Sequence, residues 1–289
     1  MIKKIWNKAF LELRHRIRRH KAKKLVANLR KHPSQKLQLI ANALDAALKG
    51  KLTEEAKLTF EKIEARRKNL YSSTDSIKIL DFGAGLPSDN RTQEEMDKGV
   101  WVESKVANIA RVSKRPFWAT MLYHLVKEWN PATSIELGSC VGISASYQAT
   151  GLNELGNGQF HTIEGAESIA ALAKETIKTC ELKNVEVHVG PFHQQLPSVL
   201  EQIGQVDYFF NDGHHDMHAV LKYLDMSLPY LSDEALVIFD DISWSEGMQA
   251  AWKKIEEHPR ILYSIDLDMI GLAIVTKHEN KTENFRIPL

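Results

Sequence analysis

A chain of 289 residues with 43% hydrophobic and 26% charged residues can bury a full core, which excludes a disordered or fibrous polymer. No run of about 18 apolar residues occurs, and the opening "MIKKIWNKAFLELRHRIRRHKAKK" is too charged for the apolar stretch of a secretory signal; Cys140 and Cys180 alone make no disulfide framework, so a reducing cytoplasm is expected. The net charge of +1 hides a segregation: residues 1–36 hold 13 basic residues against Glu12, so the other 253 carry 11 more acids than bases.

Residues 1 to about 70 form a basic helical extension. Ile5, Phe10, Leu13, Ile17, Leu25 and Leu29 recur at loosely helical spacing, and no strand-like alternation appears. Pro33-Ser34 breaks the run, and Ser34 is placed to cap a helix over 35–48. Gly50 ends that helix, and Thr53 caps a third one reaching Leu70. "YSSTDS" at 71–76 is a polar linker, so a second unit is expected over 77–289 with its core at 131–277.

From Ile77 to Trp129 the pattern is mixed. "IKILDFGAG" reads as a short strand with a glycine turn, followed by helical patterns around 102–110 and 117–129. Beyond that it becomes regular. Strand-like runs fall at 133–138, 159–164, 185–190, 206–211 and 235–240, with helical segments near 143–155, 167–181, 193–203, 216–230 and 246–257. Strands alternating with helices at this interval mean βαβ units and a parallel sheet. The last runs, "ILYSIDLD" and "GLAIVTK", are separated only by Met269-Ile270, too short for a crossover, and should be antiparallel. The expectation is an α/β, Rossmann-like, seven-stranded and mostly parallel sheet closed by an antiparallel hairpin.

Two glycine turns compete for a cofactor. "SIELGSCVGISA" has a buried strand, then Gly138 and Gly142, then a helix opening at Ile143. The next strand, "FHTIE", ends in Glu164, where this architecture binds a ribose diol. "DFGAGLPSDN" has neither support and is expected to be a structural turn that lines or closes the pocket.

The GxxxGxS spacing, the strand tipped by Glu164 and the terminal hairpin together resemble the class I S-adenosylmethionine-dependent methyltransferases, over about 131–277. "ELGSCVGISA" and "TIEG" look most like the catechol-type O-methyltransferases and their bacterial relatives. The resemblance implies that Glu136, Gly138 and Gly142 lie against the methionine part of the cofactor and that Ser144 meets its carboxylate. It also implies that Glu164 holds the ribose hydroxyls, that Gly190 to Phe192 border the adenine, and that Asp212 lies beside the cofactor.

Two further strand ends carry acids: "FFNDGHHDMH" with Asp212, and "VIFDDISW" with Asp240 and Asp241. Carboxyl ends of adjacent parallel strands meet above one crevice, and three converging carboxylates repel unless a cation or protons neutralise them. Mg²⁺ prefers such oxygen ligands, and manganese or calcium would also fit. The resembled family holds its metal between an aspartate after the fourth strand and an Asp-Asn pair after the fifth; here the pair is Asp240-Asp241. The family's general base, a lysine three residues beyond the fourth-strand aspartate, corresponds to His215. A histidine suits that role at neutral pH, and His214 beside it is the second candidate.

Each residue also has a plainer role open to it. Asp212 could bond backbone N–H groups of the following helix, Asp240 and Asp241 could cap a turn, and both histidines could be loop residues. A zinc set of His214, His215 and His218 lacks cysteine partners. Trp252 is expected in the core and Trp244 beside the acids, in contact with substrate.

The expected activity is divalent-metal-assisted O-methylation of a small-molecule or sugar hydroxyl. The alternatives are metal-free methylation with His214 or His215 as base, and a non-catalytic Rossmann-like binding module. For residues 1–36 three partners are open: an anionic membrane surface, a phosphate-rich polymer such as RNA, or the chain's own acidic body or a second subunit of a homo-oligomer.

Overall fold

The computed structural model describes residue 18, residues 20–83, 85, 89 and residues 91–289. Residues 1–17 and 19 of the basic extension, and 84, 86–88 and 90 of the first glycine turn, lie outside the described residues.

The extension is helical where expected. Helix α1 covers 20–29. Ser34 caps α2 (Gln35–Lys49) by accepting from the Leu37 N–H, and Gly50, at φ 63°, ends it in the left-handed conformation. Thr53 caps α3 (Glu54–Tyr71) by accepting from the Ala56 N–H. The described part of the basic region is not a free arm. Ala22, Val26 and Leu29 are buried. Arg18 pairs with Asp268 at 2.9 Å and Arg30 with Asp45 at 3.2 Å. Lys36 lies over the Trp129 ring.

The next segment departs from expectation. Residues 100–105 form a strand, not the start of a helix. β1 (Ser76–Asp81) pairs antiparallel with β2 (Val100–Lys105), the short helix α4 (Gln93–Lys98) lying between them in the chain. Val100 and Val102 are half-buried while Trp101 is exposed, a strand period of two. Helix α5 (Val106–Arg111) follows with no gap, and its apolar spacing blurs that alternation in the sequence.

A four-residue link leads into α6 (Pro116–Trp129) and then the main sheet. Its elements in order are β3 (Thr133–Leu137), α7 (Ile143–Leu155), β4 (Gln159–Glu164), α8 (Glu167–Thr179), β5 (Val185–Val189) and α9 (Phe192–Ile203). There follow β6 (Val206–Asn211), α10 (Met217–Ser227), β7 (Leu231–Phe239), α11 (Glu246–Glu256), β8 (Ile261–Asp266), β9 (Gly271–Val275) and β10 (Glu283–Arg286).

The spatial order is β10-β8-β9-β7-β6-β3-β4-β5. Strands β3 to β7 run parallel, and β9 lies antiparallel to both β7 and β8, so the expected hairpin is present. The sheet has eight strands rather than seven, because β10 adds to the edge parallel to β8. Its sequence, Glu-Asn-Phe-Arg, has one apolar residue and no pattern to read. The sheet is buried on both faces. Tyr208, Phe210, Leu236 and Ile238 pack with the helices of the N-terminal half, while Ile135, Leu137, Phe209, Val237 and Phe239 pack under α9, α10 and α11. Among the described residues no helix is long and apolar enough to cross a membrane.

Candidate active site

The order of chain entry reverses between β3 and β6, which opens a crevice at their carboxyl ends. The loop after β3 approaches from one side. Gly138 (φ 92°) and Gly142 (φ 82°) both take backbone conformations that favour glycine. Their missing side chains answer to the protein's own backbone. A Cβ on Gly142 would stand 2.9 Å from the Ala173 carbonyl oxygen of α8, and one on Gly138 would meet Asp212. These glycines let the loop settle onto α8 and the end of β6.

Glu136 ends up deep under the loop. It is 0% exposed, beneath the loop rather than on its surface. Gln148 donates to one carboxylate oxygen at 3.0 Å and Thr162 to the other at 2.6 Å. Tyr208 donates to Gln148 in turn at 2.8 Å. Burial pushes the Glu136 carboxyl up to about 7 although these donors oppose the shift. Its geometry makes it a support of the loop.

Glu164 lies where the sequence predicts, half-buried at the tip of β4. It accepts from the Cys140 N–H at 2.9 Å and the Ala166 N–H at 3.1 Å. The strand-tip acid and the glycine loop are therefore one hydrogen-bonded unit. Burial raises its pKa to about 7. Helix α7 opens at Gly142 without a side-chain cap, and Ser144 lies buried in its first turn. The first glycine turn reaches the same place. A Cβ on Gly165 would stand 3.1 Å from the Phe82 ring, and Asp81 accepts from the Gly83 N–H and from Arg91.

Gly190 (φ 137°) ends β5, and Phe192 is buried against His214 and Tyr223. His214 shares a 2.8 Å hydrogen bond with the Tyr223 hydroxyl and stacks on its ring. Burial lowers its pKa. The geometry separates the two histidines that the sequence left together. His215 Nε2 stands 4.0 Å from an Asp212 oxygen and 3.9 Å from an Asp241 oxygen, so His215 faces the acids while His214 belongs to the aromatic cluster. His218 is exposed, and Asp216, not Asp212, caps α10 by accepting from the His218 and Ala219 N–H groups. The zinc set is not assembled. Trp252 is 6% exposed in the core, as expected, and Trp244 is 68% exposed in the loop after Asp241.

The acids do converge. Ligand atoms of Asp212, His215 and Asp240 lie within 4.8 Å of one another. What the sequence reading missed is Lys114, from the link before α6. Its ammonium ion-pairs with Asp240 and stands 3.3 Å from Asp212, and its side chain is 12% exposed. Burial alone would lower its pKa, but Asp212 and Asp240 outweigh that and keep it charged. In return, Lys114 draws the Asp240 carboxyl down against the effect of burial. Asp212 and Asp241 are pushed up by burial and by Asp240. Lys114 lies 98 residues before Asp212, in the link before the helical pattern that begins at 117, where nothing in its neighbours points to the acids.

A Rossmann-like sheet, a glycine loop bonded to a strand-tip acid, and acids on the next two strand ends meet at the crevice where open α/β sheets bind their ligands. Residues 135–242 match the family model described as a methyltransferase domain. No curated protein matches the chain in sequence. Among solved structures it is similar to an O-methyltransferase from Bacillus cereus in complex with SAH, at 22% identity and TM-score 0.50, over 59% of this chain and 86% of that one. It is similar also to an O-methyltransferase from Streptomyces achromogenes in complex with SAM, at 20% identity and TM-score 0.51, over 57% and 82%. An SAH-bound methyltransferase from Podospora anserina aligns over 78% and 89%, at 14% identity and TM-score 0.54. These likenesses extend to the fold.

Proposed function

We propose that this chain transfers a methyl group from S-adenosylmethionine to a hydroxyl of a small molecule or sugar. The observation that carries the reading is the pairing of Glu164 with the Cys140 N–H, which sets a half-buried carboxylate beside an uncapped helix start. The donor set fits this cofactor. Glu164 keeps lone pairs for a ribose diol, and the first-turn N–H groups of α7, with Ser144, suit a carboxylate. When bound, S-adenosylmethionine supplies a methyl group on a positively charged sulfonium.

His215 is the base. It faces the carboxylates of Asp212 and Asp241, which favour the imidazolium formed as it takes the proton of the acceptor hydroxyl. Trp244, exposed beside Asp241, covers the acceptor. The rest of the rate comes from holding acceptor oxygen and methyl group in line.

Asp212, Asp240 and Asp241 offer the oxygen ligands that Mg²⁺ prefers. Lys114 already engages two of them, so these residues do not fit an ion at that place, and the metal-independent form of the reaction is favoured. The exposed Lys21, Lys23, Lys24 and Lys31 leave a basic face on α1 and its end, suited to an anionic surface.

Titration calorimetry with S-adenosylmethionine, and with NAD as control, tests the reading. Micromolar binding of the first and none of the second is expected; the reverse would sink it.

A further inference from the structure

We propose that Lys114 is the resident cation of the strand-end cluster: its ammonium takes the position a divalent ion would need and turns its remaining N–H toward the acceptor oxygen, so that methyl transfer here requires no added metal. The proposal rests on the methyltransferase reading above for its chemistry, but not for its claim about cations.

Three observations carry it. The first is occupancy. The Lys114 ammonium contacts an oxygen of Asp240 and stands 3.3 Å from one of Asp212. A Mg²⁺ ion would need the same oxygens at about 2.1 Å in near-ideal octahedral geometry. An ion on those oxygens would stand beside the ammonium with like charge against like charge, which disfavours holding both. The second is depth. Asp240 is 2% exposed, so its charge must be met inside the protein, and Lys114 is the basic side chain that meets it. The third is composition. Asp241 adds a third carboxylate, and His215 lies within 4.0 Å of both Asp212 and Asp241.

A lysine ammonium has three donor hydrogens and no acceptor. Asp240 accepts one, Asp212 stands 3.3 Å away as an ion pair, and a further N–H remains for the oxygen on which negative charge develops. Atoms balance without a metal. The acceptor O–H gives its proton to His215 as the new O–CH₃ bond forms, the S–CH₃ bond breaks, and its electron pair stays on sulfur. Lys114 keeps all its protons. It acts as a fixed positive dipole of the kind whose removal costs on the order of 10²–10³ in rate.

The test titrates Mg²⁺ and Mn²⁺ by calorimetry into the full-length wild type, Lys114→Ala and Lys114→Met, with S-adenosylmethionine binding measured in EDTA alongside. The wild type should show no stoichiometric metal binding, while Lys114→Ala, freed of its ammonium, should bind Mn²⁺ at least tenfold more tightly. Stoichiometric Mg²⁺ or Mn²⁺ binding by the wild type would overturn the proposal, as would equal metal affinity in wild type and Lys114→Ala. If neither neutral variant folds, the wild-type titration decides alone. Loss of S-adenosylmethionine binding in the wild type, with metal binding still absent, would strike the methyltransferase reading and leave the cation assignment standing.

Discussion

Gly138 and Asp212 meet backbone to backbone: a Cβ on Gly138 would stand 2.5 Å from the Asp212 carbonyl oxygen, and the Asp212 N–H donates to the Leu137 carbonyl at 3.0 Å. The cofactor-type loop after β3 and the acid at the end of β6 are thus one unit, so strain in one displaces the other. Gly138→Ala adds a side chain at φ 92° and a backbone overlap. The expected cost is about 3 kcal/mol of stability, with weakened cofactor binding. Chemical denaturation and calorimetry on the same preparation check both; wild-type values in each would show the contact to be slack.

Glu164→Ala removes the acceptor at the tip of β4 and unties the Cys140 N–H. S-adenosylmethionine affinity should fall at least about tenfold, or 1.4 kcal/mol. The cap-like bonds to Cys140 and Ala166 disappear as well, so Glu164→Gln is the companion variant. Unchanged affinity in both would remove Glu164 from the ribose site.

Glu136 gives stability a specific pH dependence. Its folded-state pKa is raised by burial to about 7, above the ordinary 4.5. The folded state therefore keeps a proton that the unfolded chain has released. The contribution is most favourable below about 4.5 and is lost as pH rises through about 7, at up to about 1.4 kcal/mol per pH unit in that window. Glu136→Gln should flatten the urea midpoint between pH 5 and pH 7 relative to wild type. A slope identical to wild type would mean that Gln148 and Thr162 hold the carboxylate charged throughout.

His215 and His214 should separate in kinetics. With any acceptor that is turned over, His215→Ala should lower kcat by about 10²–10⁴ and leave cofactor affinity alone. His214→Ala loses the Tyr223 hydrogen bond and the packing on Phe192, so it should lower the melting temperature more than it lowers kcat. A larger kcat loss in His214→Ala would reverse the assignment.

Deleting residues 1–36 strips Val26 and Leu29 from the core and breaks the Arg18–Asp268 pair. Stability should drop by about 3 kcal/mol or more, from the apolar side chains alone. A truncation as stable as the full chain would mean that these contacts contribute nothing to stability.

Much of this was legible along the chain because the signals are local. Ser34, Gly50 and Thr53 mark helix ends through their own hydrogen bonds and backbone preferences. The central strands β6 and β7 carry near-continuous apolar stretches, Tyr208–Phe210 and Ala235–Phe239, since both faces of the sheet are covered there. A two-residue join forces β8 and β9 to be antiparallel. Glu164 was readable because its position one strand past a glycine loop is itself a spacing.

The rest depended on distance in the fold. β10 carries one apolar residue and becomes a strand only because the edge of β8 lies open beside it. Val100 to Lys105 pair with β1 because the chain turns back there, not because their pattern outweighs that of the helix that follows. Neighbouring in sequence, His214 and His215 differ only in what folds against each. Charge was the deepest omission. Three acids at two strand ends announce a need for a cation, yet which cation meets them is a matter of which side chain the fold delivers. Lys114 comes from a link before α6, far along the chain, and only the packing of that link over the ends of β6 and β7 makes it the partner of Asp240.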